Sequence, residues 1–135
     1  LHDALPICQH ELAPELKGRI RQIQMEIASK RMLADVPTAD VVIANPTHVA
    51  VALKYESGGM QAPVVVAKGP DLLCQKIKEV ARAHDVPVVE RPQLARSLYA
   101  AVDVGQAIPA HLFVAVAEVL AMIYRTRQKR RATSR

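Results

Sequence analysis

The chain has 135 residues, and 50% of them are hydrophobic, which is enough to bury a core and excludes a disordered polypeptide. Aromatics are only 3%, with no Trp and one Phe, so Val, Leu, Ile and Ala must build that core. Much of the net charge of +5 sits after position 124, in a basic run with no interleaved aromatics, and no nucleic-acid partner is expected.

Cys8 and Cys74 are too few for a disulfide framework and fit a reducing compartment. His2, His10, His48, His84 and His111 show no ligand spacing, so neither a metal nor a cofactor is expected. The longest apolar stretch, 112–124, is interrupted by Glu118 and is too short to span a bilayer. No signal peptide with a basic start and a long apolar core is present.

Residues 1–14 carry no period and contain Pro6, so they are expected as an unstructured lead-in. The chain opens on Leu rather than Met, as a fragment would. Over 15–38 a connector helix is expected. Leu16, Ile20, Ile23 and Ile27 recur at helical spacing, with Lys17, Arg19, Arg21, Lys30 and Arg31 on other faces. This stripe suits a half-buried helix, with a membrane surface as the alternative, and Pro37 ends it.

Strands follow at 40–44 and at 49–55, the second with Val49, Val51, Leu53 and Tyr55 on one face. Ser57-Gly58-Gly59 marks a turn before a third strand at 63–67. Gly69-Pro70-Asp71 opens a helix to about position 84, with Leu73, Ile77 and Val80 inward. A fourth strand is expected at 86–90, where Pro87 suggests an edge or a strand start. Pro92 begins a short helix with Leu94 and Leu98. Gly105 breaks the chain, and Pro109 starts a last helix with Leu112, Val116, Leu120 and Ile123 as its buried stripe. The expected fold is α/β: a small four-stranded sheet with helices packed around it, preceded by a long connector helix. Its domain spans 39–125, and a basic tail without structure occupies 126–135.

Between the first two strands lies Asn45-Pro46-Thr47-His48. The Asn45 side-chain nitrogen can close a five-membered ring on its own backbone carbonyl carbon and expel the nitrogen of Pro46. Before most residues the competing reaction wins, in which the next backbone nitrogen attacks the side chain and deamidation results. Proline has no N–H, so only the cutting route remains. His48 is expected to act as proton shuttle for the departing nitrogen, as an imidazole is suited to do near neutrality. Thr47 offers a hydroxyl to polarise the carbonyl or to fix the turn. An isolated Asn-Pro is also a common turn opener, so the tetrapeptide leaves a plain turn open.

Two other readings fit poorly. A strand followed by Asn-Pro is also seen in adenine amino-methyltransferases, but those need an aromatic after the prolines to stack the flipped base, and Thr47 and His48 stand here. Lys68-Gly69-Pro70-Asp71 lacks the glycines of a phosphate cradle and reads as a strand-to-helix turn.

Several separated segments resemble the cytoplasmic domain of the FlhB/YscU family, the switch proteins of flagellar and virulence type III export gates. They are Leu16-Lys-Gly-Arg-Ile-Arg, the run from Ala39 through Asn45-Pro46-Thr47-His48 to Tyr55, Ala62-Pro-Val-Val-Val-Ala-Lys-Gly, Val86-Pro-Val-Val-Glu, Leu94-Ala-Arg-Ser-Leu-Tyr and Ala115-Val-Ala-Glu-Val-Leu. The resemblance covers about 15–124. The Leu16 segment and Gln106-Ala-Ile-Pro favour the flagellar branch, while residues 1–8 and the basic tail lie outside the shared pattern. It implies self-cleavage between Asn45 and Pro46, with the pieces staying together and the cut permitting a change of export substrate class. This is a single-turnover event rather than the work of a turnover enzyme. It also implies transmembrane helices in the bacterial inner membrane, with this domain facing the cytoplasm. The partners implied are the other large export-gate membrane protein, export substrates and their chaperones, and the ruler protein that measures hook or needle length. An uncut scaffold whose turn binds export substrates is the alternative, and a basic nucleic-acid module is a weaker one.

Overall fold

The computed structural model describes residues 13–56, 58, 59 and 61–133, so most of the lead-in, including Cys8 and His10, lies outside the described residues. The chain divides into two compact units, Leu1–Arg31 and Met32–Arg135.

In the first unit the described residues form most of α1 (Pro14–Asp35), which has no buried residue. Leu16, Ile20, Ile23 and Ile27 are 42–50% exposed, so the expected half-buried stripe is not covered. A single helix has no second layer of its own against which to hide an apolar face.

The second unit begins earlier than the sequence suggests. Met32 and Leu33, in the last turn of α1, pack against its core, and Val36 is fully buried in a 3-10 turn, Val36–Thr38. Pro37 prevents the α-helix from continuing through that turn.

Four strands follow, β1 (Val41–Asn45), β2 (Val49–Lys54), β3 (Val64–Pro70) and β4 (Val88–Glu90), in the sheet order β3-β2-β1-β4. β1 pairs antiparallel with β2 and parallel with β4, and β2 pairs antiparallel with β3. β1 is therefore an inner strand, and all of its residues are buried, as an apolar run covered on both faces should be. β4 is an edge, as Pro87 suggests. Pro87 lies just before the strand and contributes its carbonyl, which accepts from the Val42 N–H at 2.9 Å.

Helices α2 (Asp71–Ala83), α3 (Pro92–Ala101) and α4 (Phe113–Thr133) complete the fold. On one face of the sheet Val41, Ile43, Val51, Leu53 and Val65 meet Leu98 of α3 and Val116, Leu120 and Ile123 of α4. On the other, Val42, Ala44, Ala50, Ala52 and Ala67 meet Cys74, Ile77 and Ala81 of α2. The alanines on that face leave room for α2 to lie close to the sheet. Of the expected β2 stripe Val51 and Leu53 are buried, while Val49 and Tyr55 are partly so. Leu112, just before α4, and Val116, Leu120 and Ile123 within it are buried, and in α2 Leu73 and Val80 flank a centre made by Cys74, Ile77 and Ala81.

β3 runs beyond its expected end at position 67 and reaches Pro70. A break in register between Ala52 and Leu53 inserts an extra residue in β3. Val65 and Ala67 consequently point to opposite faces although they are two positions apart. Proline is tolerated at the end of β3 because this strand borders the sheet. Its outer side is met by the segment after α3. Gly105 donates to the Val65 carbonyl at 2.7 Å from a backbone with φ +89°, open to glycine at no steric cost.

The basic end is helical where the sequence suggests an irregular tail: α4 continues through residues 126–133. Arg, Gln and Lys are good helix formers, no Gly or Pro interrupts them, and Thr126 Oγ1 donates to the Met122 carbonyl at 2.9 Å. No helix among the described residues is long and apolar enough to cross a membrane.

Candidate functional site

Asn45 ends β1 opposite Val49, so the two strands close around Pro46, Thr47 and His48. Asn45 is buried, with 8% exposed, whereas Pro46 is half-buried and Thr47 and His48 are exposed. The His48 main-chain N–H donates to the Asn45 carbonyl oxygen at 3.0 Å, the bond that defines a β-turn from 45 to 48. Pro46 holds φ negative and excludes the primed turns, while Thr47 has φ +66°. The combination is the type II pattern, whose third position favours glycine. A β-branched residue there is strained by about 1–3 kcal/mol and persists only when its surroundings hold it.

The sequence-predicted residues Asn45, Pro46, Thr47 and His48 are thus brought together in one turn. His48 contacts the Asn45 carbonyl through its backbone N–H, and the residue is exposed. The Thr47 hydroxyl has no hydrogen-bond partner among the described residues, so its contribution to the turn is its backbone conformation. The carbonyl that the Asn45 side chain would attack is already polarised by a main-chain donor, as an oxyanion site requires.

Two neighbours escaped the sequence reading. The Asp71 N–H donates to the His48 carbonyl at 3.0 Å, and the Arg91 N–H donates to the Ala44 carbonyl at 3.0 Å. Counting pairs outward along β2 and β3 would have found Asp71, but only with the extra residue in β3 known in advance.

Among the described residues there is no group of three or more His, Cys, Asp or Glu side chains that could hold a metal. Cys74 belongs to the core. Burial pushes its thiol above the usual range, against the opposing pull of Lys78.

A second concave surface, of about 340 Å³, is lined by Tyr55, Ala62, Pro63, Phe113, Leu120 and Tyr124 among others. Its lining is mainly apolar, and Phe113 and Tyr124 remain 42% and 44% exposed.

Residues 8–123 match the FlhB HrpN YscU SpaS Family. The flagellar biosynthetic protein FlhB of Bacillus subtilis is 51% identical over 116 residues, 86% of this chain and 32% of that protein. That of Escherichia coli is 50% identical over 124 residues, 92% of this chain and 32% of that protein. The chain therefore spans about a third of the length of these curated relatives. The crystal structure of the cytoplasmic domain of FlhB from Shewanella putrefaciens matches with a TM-score of 0.74 at 45% identity, over 77% of this chain and 80% of that one. A mutated EscU C-terminal domain matches with a TM-score of 0.66 at 33% identity, over 68% of this chain and 92% of that one. A family match running nearly the length of the chain and the agreement in fold lead to one conclusion: the chain belongs to the FlhB/YscU family.

Proposed function

We propose that this domain is a self-cutting switch of a bacterial flagellar or type III export apparatus, broken once between Asn45 and Pro46. The observation that carries the reading is the strained turn, with Thr47 at φ +66° and the Asn45 carbonyl accepting from the His48 N–H at 3.0 Å. Asn45 Nδ2 attacks its own carbonyl carbon, and the oxygen takes up charge against the His48 N–H. As the new C–N bond forms, the bond to Pro46 breaks. The proton lost by Nδ2 reaches the Pro46 nitrogen through the His48 imidazole. The products are a succinimide at Asn45, which water opens, and a free Pro46 imino group. This is a single event in cis, with no turnover.

Cutting need not unfold the domain. β1 lies before the break, and both strands that flank it, β2 and β4, lie after it. Full burial of Val41, Val42 and Ile43 contributes roughly 5–9 kcal/mol in gross terms at about 1.5–3 kcal/mol per side chain. That favours two pieces sharing one sheet. What changes is the turn, which becomes two free ends, one of them carrying new positive charge. A new local surface of this kind suits a change of substrate class from early rod, hook or needle subunits to later ones.

By its family the longer protein would sit in the inner membrane with this domain on the cytoplasmic side. Its partners would be the other large export-gate protein, export substrates with their chaperones, and the length-measuring ruler. The groove at Phe113, Leu120 and Tyr124 supports apolar contact with such a partner. The test is denaturing electrophoresis of the incubated chain beside Asn45→Ala. Two fragments from the parent and one band from the variant support the reading; one band from both contradicts it.

A further inference from the structure

We propose that Asp71 is a positioning residue for the cut, its main-chain N–H clamping the far side of the turn through the His48 carbonyl. The inference rests on the self-cutting reading and goes beyond it, because Asp71 lies outside the tetrapeptide that carries the chemistry.

His48 is held at both of its backbone polar groups. Its N–H donates to the Asn45 carbonyl at 3.0 Å, and its carbonyl accepts from the Asp71 N–H at 3.0 Å. The sheet ladder reaches Val49, which pairs with Asn45 and Pro70, and leaves His48 and Thr47 beyond its end, where Thr47 can fall back from φ +66° to an unstrained conformation unless the turn is held further. The second bond ties that chain to the corner between β3 and α2. Asp71 itself has φ +51°, so its hydrogen bond to the His48 carbonyl joins one left-handed non-glycine residue to the neighbour of another, Thr47. Aspartate tolerates this region better than most residues.

The corner is firmly seated. Pro70 and Gly69 pair with Val49 and Ala50, and a side chain at Gly69 would run into Leu73. Asp71 opens α2, whose Cys74, Ile77 and Ala81 are fully buried against the sheet. A rigid core element thus sets the position of the turn, and the link is a backbone conformation rather than the Asp71 carboxylate.

The prediction concerns an order among variants. Asp71→Gly keeps the N–H and accepts φ +51° freely, so its cutting rate stays within about twofold of the parent. Asp71→Val keeps the N–H but resists that φ, and cutting slows about tenfold or more as the corner shifts. Asp71→Ala falls between them and serves where the valine chain does not fold. Rates are read by pulse-labelled cell-free synthesis of the full chain followed by denaturing electrophoresis, below the melting temperature of each variant determined with Asn45→Ala added. A purely structural role would lower the melting temperature and leave the cutting rate of the folded chain unchanged.

The clamp is supported if glycine cuts as the parent does while alanine and valine are progressively slower. It is overturned if folded alanine and valine chains cut at the parental rate, or if glycine is as slow as valine, which would assign the effect to the carboxylate. A parent chain that never cuts removes the self-cutting reading itself, an outcome distinct from a parent that cuts without this order among the variants.

Discussion

The N–H of His48 and the carbonyl oxygen of Asn45 lie 3.0 Å apart, so the carbonyl at the bond to Pro46 is polarised by the residue that closes the turn. The contact belongs to the backbone and survives any change of the His48 side chain that leaves the turn intact. His48→Ala therefore removes the proposed proton carrier while keeping the backbone N–H that contacts the carbonyl. Cutting slows by about 10²-fold and is not abolished, as expected for loss of one general acid–base group. Time courses of fragment formation at neutral pH check this, and a complete block would mean that the backbone contact cannot sustain cutting without the imidazole.

Asn45→Ala removes the attacking nitrogen and blocks the cut outright. Asn45 is buried at a strand end and its side chain has no hydrogen-bond partner among the described residues, so the thermal midpoint should stay near that of the parent. Fragments from this variant would rule out the succinimide route.

Thr47→Gly relieves the strained position. With Asn45→Ala in place, relief of strain outweighs the entropy cost of glycine by about 1 kcal/mol, raising the midpoint by about 3–5 °C. In the cuttable chain the same change slows fragment formation, because the ground state is no longer held near the reacting geometry. A lower midpoint would mean that the turn is not strained.

Much of this was legible in the sequence, and the failures have physical causes. β1 and β2 announce themselves because both are apolar runs bounded by turn residues, and the turn between them is marked by Asn45 and Pro46. The end of β3 was hidden because Gly69 and Pro70 are poor strand residues, and only its border position excuses them. Asp71 was hidden with it: its role depends on pairing across the sheet, which local periodicity does not report. The helical end at 126–133 is hard to see in the sequence because dense charge suggests a solvated end, although each residue up to 131 apart from Thr126 favours a helix. The exposure of Ile20 and Ile23 depends on which layers exist around a helix, and an apolar stripe alone does not supply that.

Pro46→Ala restores an N–H at the position after Asn45. That opens the deamidating route, so the variant should gain the mass of deamidation at Asn45 while forming fragments more slowly than the parent. Peptide mapping after incubation distinguishes the two products. Fragments formed at the parental rate with no deamidation would show that proline is not what selects the cutting route.

Burial also sets a pH limit. The Cys74 thiol is raised above its ordinary value of 9.0 by burial, so the neutral form is favoured in the folded chain. The unfolded chain loses this proton first as pH rises. The contribution is therefore fully present below about pH 9 and is lost as pH climbs from there through the raised folded value. Cys74→Ala should weaken that alkaline fall in denaturant midpoint, and an unchanged profile would assign the fall to other groups.

The central claim is tested most directly by intact mass spectrometry of the purified chain under denaturing conditions, followed over time at neutral pH. The account predicts two masses summing to the chain plus one water once the succinimide has opened, one piece ending at Asn45 and the other beginning at Pro46. They should co-elute as a single species on a native sizing column. A single undiminished mass after long incubation would contradict it and leave Asn45-Pro46-Thr47-His48 as a turn and nothing more.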